Sequence, residues 1–389
     1  MVKYKLIYKY KNQEYNCSDK VIIPAPDRLI AIGDIHGDIE LMLDSLLVAG
    51  LIKEEKYQSG GKIVGSNLVP LIYKDGVTRY YSWIGGNTIV VQVGDQIDRC
   101  RPFFNTEQNT VAACNDEHTT FDDEASDERI LVFLSDLDKL ARKYGGALYN
   151  LLGNHELMNM MGNMDYVSYM GLKEYVDING RIKHFERGSD MSKFIACTRS
   201  AVVVIGSYLF VHAGFLSNVI KNYKHLDKST ILSNLNTIYH YWIVDKSNEV
   251  VNVLKKNYSK EEVEKLIVNI NSPIHSPLWV RGLGNIRPNL PKDHENCEDV
   301  NKVLDLFALK GMVVGHTPQM ETGINGTCGN SLFRVDVASS RAFTSMFKFQ
   351  NLDVNMLQKL ENIRQPQVLE IIKDTDVYVI NKNGRFKIA

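Results

Sequence analysis

An α/β fold is predicted for this chain by three observations. Short apolar runs alternate with segments of helical periodicity, in the order β-α-β-α-β over residues 29–152. The three runs stop at Gly33-Asp34, Gly94-Asp95 and Gly153-Asn154, so each strand delivers a polar group at its C-terminal end, the edge where sites form in open α/β sheets. The composition, 44% hydrophobic and 23% charged over 389 residues, is that of an ordinary globular chain long enough to bury a large core unaided.

Residues 29–32 read as a buried strand. Residues 39–48 carry Ile39, Leu41, Met42, Leu46 and Leu47 at helical spacing. A second buried strand spans 89–93. A helix over 130–144 has a stripe of Leu131, Leu134, Leu137 and Leu140 and a stop at Gly145-Gly146. The third strand is 147–152. Residues 201–205 and 208–212 form a hairpin joined at Gly206-Ser207. A helix over 301–309 precedes a short strand at 312–315, and strands at 368–372 and 377–380 could extend the sheet.

Two stretches look inserted. Residues 53–87 read as a β excursion with a turn at Lys74-Asp75-Gly76. Residues 101–127 are polar, acidic and poor in aliphatics, and read as a long surface loop. One domain with decorations is favoured over two.

A net charge of −1 recruits neither nucleic acid nor an acidic membrane. Residues 1–16 are polar, without the apolar core of a signal peptide, and no run reaches the roughly 18 apolar residues of a membrane span. The six cysteines, at 17, 100, 114, 197, 297 and 328, form no C-x-x-C pair. Neither a structural zinc site nor a disulfide framework is expected, and the expected location is a reducing, cytoplasmic one.

The chemistry lies at the strand ends. Asp34 and His36, in Gly33-Asp34-Ile35-His36-Gly37, point the same way if the segment is extended, and their carboxylate and imidazole suit a first-row metal. In Gly94-Asp95-Gln96-Ile97-Asp98-Arg99, Asp95 can bridge two ions if it faces Asp34, and Arg99 offers a fork that fits phosphate. In Gly153-Asn154-His155-Glu156, Asn154 offers an amide oxygen. There His155, oriented by Asp98, can protonate a leaving oxygen. His212, before Ala213-Gly214, and His316, in Gly315-His316-Thr317-Pro318, complete the set. Taken singly, each motif is as well explained by a helix cap, a turn or a satisfied core histidine. Five successive strand ends bearing Asp-x-His, Asp, Asn, His and His are not, and they supply enough N and O donors for two ions.

These motifs resemble those of the calcineurin-like metallophosphoesterase superfamily, in its phosphoprotein phosphatase branch, over about 29–342. The family pattern GDxHG, GDxxDRG, GNHE, HGG and GH reads here GDIHG, GDQIDRC, GNHE, HAG and GHT. Within the branch, residues 91–99, 152–160 (LGNHELMNM) and 276–281 (SPLWVR) look most like Shewanella-like phosphatases. The resemblance implies an α/β (α+β) fold, a metallophosphoesterase four-layer β-sandwich of two mixed sheets flanked by helices. It implies an N-terminal extension at 1–28, a phosphoesterase domain at 29–345 with insertions near 53–87 and 101–127, and a C-terminal extension at 346–389. Two divalent metal ions (Mn, Fe or Zn) are implied, one on Asp34, His36 and Asp95, the other on Asp95, Asn154, His212 and His316. Arg99 and Arg281 would grip phosphate, and His155 with Asp98 would act as acid; Arg281 enters only through the resemblance.

The implied activity is metal-dependent phosphomonoester hydrolysis by a bimetal-activated water. The expected substrate is a phosphorylated protein (Ser/Thr or Tyr). A small phosphoester, such as a dinucleoside polyphosphate, and an inactive binding scaffold are the alternatives. Cys100 stands where the family has glycine. It reads as a candidate oxidisable thiol at the head of an acidic insert beside the active-site rim, where the insert could gate or select substrates.

Overall fold

The computed structural model describes residues 7–17, 20–55, 67–73, 75–105, 109–220, 226–344 and 354–389. Its strands are, in chain order, β1 (Ile7–Tyr10), β2 (Gln13–Asn16), β3 (Ile22–Ile23), β4 (Arg28–Ile32), β5 (Ile52–Glu55), β6 (Val69–Ile72), β7 (Thr78–Trp83), β8 (Ile89–Gln92), β9 (Phe103–Asn105), β10 (Thr110–Ala112), β11 (Ala147–Leu151), β12 (Arg199–Ser200), β13 (Val202–Ile205), β14 (Tyr208–Val211), β15 (Gly311–Val314), β16 (Asn325–Thr327), β17 (Leu332–Arg334), β18 (Gln367–Ile372), β19 (Asp376–Asn381) and β20 (Gly384–Lys387). Three helices bear on the site: α1 (Ile39–Val48), α2 (Asp127–Arg142) and α3 (Asn154–Met160).

Two mixed sheets face each other. One runs β12-β11-β8-β4-β18-β19-β20, the other β16-β17-β15-β14-β13-β3. Strand periodicity sorts their side chains. Leu29, Ala31, Val91, Phe210 and Val313 meet between the sheets. Their neighbours Ile30, Ile32 and Val90 face α1, α2 and the β5-β7-β6 sheet. Leu209, Val211, Met312 and Val314 face the helices Asp190–Thr198, Lys228–Ile243 and Glu298–Phe307. A strand buried on both faces loses the apolar/polar alternation, which is why these segments read as continuous apolar runs. The outcome is the expected four-layer sandwich of mixed sheets flanked by helices.

β4, β8 and β11 are parallel neighbours, as are β14 and β15. Their C-terminal ends therefore open on one rim. The C-terminal strands join as expected: β18 pairs antiparallel with β4 and with β19. In the expected β excursion, β5, β6 and β7 form an antiparallel sheet. Lys74 of its turn lies outside the described residues.

Two expectations are corrected. The six cysteines pair as Cys17–Cys197, Cys100–Cys114 and Cys297–Cys328, so a disulfide framework exists and Cys100 is not a thiol. The long separations, 180 residues for the first pair and 31 for the third, hid the pairing from any local pattern. The reducing-compartment expectation, which rested on the polar N-terminus, the lack of a membrane span and the absence of a cysteine framework, loses the last of these grounds. Residues 101–127 are also not simply a solvated loop. They contain the β9-β10 hairpin, and Asp123 is buried, accepting from Ser168 Oγ at 2.9 Å and the Met170 amide at 2.8 Å. Among the described residues, no helix is long and apolar enough to cross a membrane.

Candidate metal centre and active site

The rim collects the polar residues of five strand ends. The segment after β4 is not extended, as the Asp-x-His spacing suggested. It turns at once, with His36 in the left-handed region (φ 46°). The amides of Ile35 and His36 both donate to the Asp95 carbonyl, at 3.0 and 2.9 Å. Asp95 (φ 53°), Asp98 (φ 75°) and His316 (φ 65°) adopt the same costly conformation. Strain of this kind persists only where the surroundings enforce it, and it clusters at functional sites. Glu156 is one enforcer. Its carboxylate accepts from the amides of Gly153 (2.6 Å), Gln96 (2.8 Å) and Asp95 (3.2 Å), tying the head of α3 to the loop after β8.

Asp95 is the hub. Its Oδ2 lies 3.3 Å from His212 Nε2 and 3.8 Å from the Nε2 atoms of both His36 and His155. Asp34 Oδ2 stands 3.8 Å from His36 Nε2. Asn154 Oδ1 lies 3.0 Å from His212 Nε2. His36, Asp95 and His155 form one group able to hold a cation, and Asp95, His212 and His316 another, all buried. The far nitrogens are spoken for. His36 Nδ1 faces the Ile97 carbonyl at 3.4 Å, His212 Nδ1 the Val93 carbonyl at 2.9 Å, and His316 Nε2 the Trp279 carbonyl at 3.0 Å. A carbonyl only accepts, so each ring donates there and turns its lone pair inward, as a metal ligand must.

Electrostatics agree with a cation site. Burial, then Asp336 and Asp95, pushes the Asp34 carboxyl well above the usual range. Asp34 Oδ1 is buried without a hydrogen-bond partner. Burial and the Arg101 charge hold His36 far below the imidazole range, and burial, His212 and Arg281 bring His316 down to about 2. Burial opposes charge on Asp95 and His212, yet each stabilises the other's charged form: Asp95 is lowered and His212 raised. The buried Asp34 and Asp95 carboxylates beside the neutral His36 and His316 imidazoles favour positive charge among them, and a divalent ion would supply it. Glycine makes room: a Cβ on Gly153 would lie 2.1 Å from Asp95 Oδ1, and one on Gly315 2.2 Å from Asp34 Oδ1. The donor set fits divalent metal.

His155 and Asp98 come together as a pair. His155 Nδ1–H donates to Asp98 Oδ2 at 2.7 Å, and the other Asp98 oxygen accepts from Asn159 Nδ2 at 2.8 Å. Arg181, fully buried, bonds Asp127 at 2.7 Å and Asn159 at 2.9 Å, with Asp98 3.6 Å away. Arg281 is exposed at the rim and donates to the His316 carbonyl at 3.0 Å. Arg99 is only 1% exposed; its Nη2 donates to the Phe121 carbonyl at 3.3 Å, and its Nε lies 3.9 Å from Glu124.

Three residues escaped the sequence reading. Asp336, pushed up to about 6 by burial, crowds Asp34, and its Oδ2 has no hydrogen-bond partner. Its signal was a strand-end Asp after Phe333-Arg334-Val335, without a flanking glycine. Arg181 sits mid-helix and gives no signal. Arg101 was read as loop, yet its Nη2 lies 2.7 Å from His36 Nε2.

The model of the calcineurin-like phosphoesterases matches residues 27–320, and the chain belongs to that family, whose members are metal-dependent hydrolases of phosphoesters. Over most of its length it is similar to Shewanella-like phosphatases. Shewanella-like protein phosphatase 2 of Arabidopsis thaliana is 25% identical, over 93% of this chain and 79% of that one. An uncharacterised protein of Acanthamoeba polyphaga mimivirus is 37% identical, over 56% of this chain and 91% of its own. The solved cold-active protein-tyrosine phosphatase of a psychrophilic Shewanella shares the fold (TM-score 0.58, 18% identity, 100% of this chain and 91% of that chain).

Proposed function

We propose that this chain is a two-metal phosphomonoesterase acting on phosphorylated protein, at phosphoserine/threonine or phosphotyrosine. The observation that carries the reading is Asp95, whose one carboxylate oxygen meets three imidazoles within 3.8 Å. In this reading Asp34, His36 and Asp95 would hold one divalent ion, and Asp95, Asn154, His212 and His316 a second. Manganese, iron or zinc suits such N and O donors. When bound, two such ions acidify water to a nucleophile at neutral pH and draw charge from the phosphoryl oxygens.

The chain's own residues do the rest. Arg281 reaches the phosphoryl group from the rim. His155 delivers a proton from Nε2 to the departing oxygen. Asp98, bonded to Nδ1, orients the ring and stabilises its charged form. A protein substrate is supported by the names of the relatives, a protein phosphatase of Arabidopsis thaliana and a protein-tyrosine phosphatase of Shewanella.

The test crosses manganese, zinc, iron and magnesium with phosphoserine peptide, phosphotyrosine peptide and a dinucleoside polyphosphate. Turnover of a phosphopeptide with at least one metal is expected, together with loss of bound metal and of turnover in Asp95→Asn. Hydrolysis confined to the dinucleotide would move the substrate to a small phosphoester. Bound metal without any turnover would leave a binding scaffold.

A further inference from the structure

The guanidinium that meets the ligand cluster belongs to Arg101, not Arg99. Arg101 opens the insert, two residues past the motif arginine, and is half-buried. Half of its fork is anchored. Nη1 donates to the Cys100 carbonyl at 2.7 Å and to the Asp98 carbonyl at 3.3 Å. The rings of Phe343 and Tyr166 flank the guanidinium carbon at 4.7 and 5.4 Å, within cation–π range. The backbone beneath is clamped as well, because Cys100 is bonded to Cys114 and its amide donates to the Tyr166 carbonyl at 3.1 Å. The other half of the fork, Nη2, points at His36 Nε2. Arg99 meanwhile gives Nη2 to the Phe121 carbonyl of the insert and has Nε 3.9 Å from Glu124, while its buried Nε and Nη1 have no hydrogen-bond partner.

A cation on His36 would take the lone pair that Nη2 uses. Two positive groups then share one water-poor cleft, an arrangement that an oxyanion between them stabilises. We propose that Arg101 is a further residue that binds the phosphoryl oxygens in this cleft, supplied by the insert in addition to the motif arginine. The proposal rests on the phosphoesterase reading. It makes the insert a supplier of an active-site group.

The experiment uses the purified full chain loaded with manganese, as wild type, Arg101→Ala and Arg101→Lys. Calorimetry measures binding of inorganic phosphate, elemental analysis the bound manganese, and steady-state kinetics the KM for p-nitrophenyl phosphate. Losing a charge-assisted contact is expected to weaken phosphate binding and raise KM by about tenfold or more in Arg101→Ala. Manganese content should not fall. Arg101→Lys should recover part of the binding, since it keeps the charge but not the fork. Should Arg101→Ala misfold, Arg101→Lys carries the same comparison. Unchanged phosphate binding and KM, with manganese held more tightly, would show that Arg101 merely covers the ligand cluster and would overturn the inference. Phosphate binding that depends on Arg101, in a wild type that hydrolyses nothing, would sustain the inference and sink the phosphoesterase reading instead.

Discussion

His155 is a proton donor only if something holds its imidazole in one orientation, and Asp98 is that residue. The 2.7 Å bond to Nδ1 leaves Nε2 facing the cleft, and Asn159 and Arg181 fix Asp98 in turn. Asp98→Asn keeps the shape but loses the charge that favours the imidazolium. It is expected to lower kcat about 10²-fold or more on an alkyl phosphomonoester. The loss should be far smaller on p-nitrophenyl phosphate, whose leaving group needs no proton, and bound metal should be unchanged. An equal loss on both substrates would remove the acid role from this pair. At this scale the sequence was highly legible. Asp34, His36, Asp95, Asn154, His212 and His316 were all identified as strand-end donors, and all lie in the cluster or against it. Asp336 was not, because nothing local distinguishes an Asp that packs against another carboxylate from one that caps a turn.

Single elements show where periodicity suffices and where it fails. Helix α1 has the expected bounds because its apolar spacing is unbroken and Asp38 caps it, accepting from the Leu41 amide. Helix α2 starts at Asp127, three residues before the expected 130, and the company Glu128 keeps was not legible either. Its carboxylate accepts from Tyr10 Oη at 2.5 Å and Tyr175 Oη at 3.1 Å and pairs with Lys11 Nζ at 2.5 Å, so the β1-β2 turn is pinned to the head of α2. Burial opposes charge there, but His184, Lys11 and Tyr10 outweigh it and bring Glu128 from 4.5 down to about 2. The folded pKa is depressed, so this stabilisation is complete above the unfolded value and is lost as pH falls toward the folded one. Thermal unfolding of Glu128→Gln should therefore show a lower Tm than wild type at neutral pH and a smaller further drop between about pH 4.5 and 2. Parallel curves for the two proteins over that window would refute the role. The insert 101–127 was illegible for a different reason. Its order comes from a cross-link and from half-buried polar bonds such as Arg341–Glu124 (2.6 Å), which leave no apolar period to read.

At the scale of the whole molecule, the cross-links join parts that are remote in sequence. Cys17–Cys197 ties the N-terminal hairpin to the helix Asp190–Thr198 across 180 residues. A link closing so long a loop removes much of the unfolded chain's freedom, on the order of 2–5 kcal/mol. The double variant Cys17→Ser/Cys197→Ser should lose stability of about that size in urea unfolding. A midpoint and slope equal to wild type would mean that the hairpin is held by packing and by Glu128 alone. By itself, the sequence determined the strands and helices that lead into the site and the chemical identity of the donors at each strand end, because a two-residue or 3.6-residue period and a flanking glycine are local properties. Tertiary structure alone decided which cysteines pair, that Asp336 joins Asp34, and that Arg101 rather than Arg99 meets the ligand cluster. Those are contacts between residues set apart along the chain or turned by left-handed backbone, and only the packing of two sheets and an insert against one rim brings them within a few ångströms.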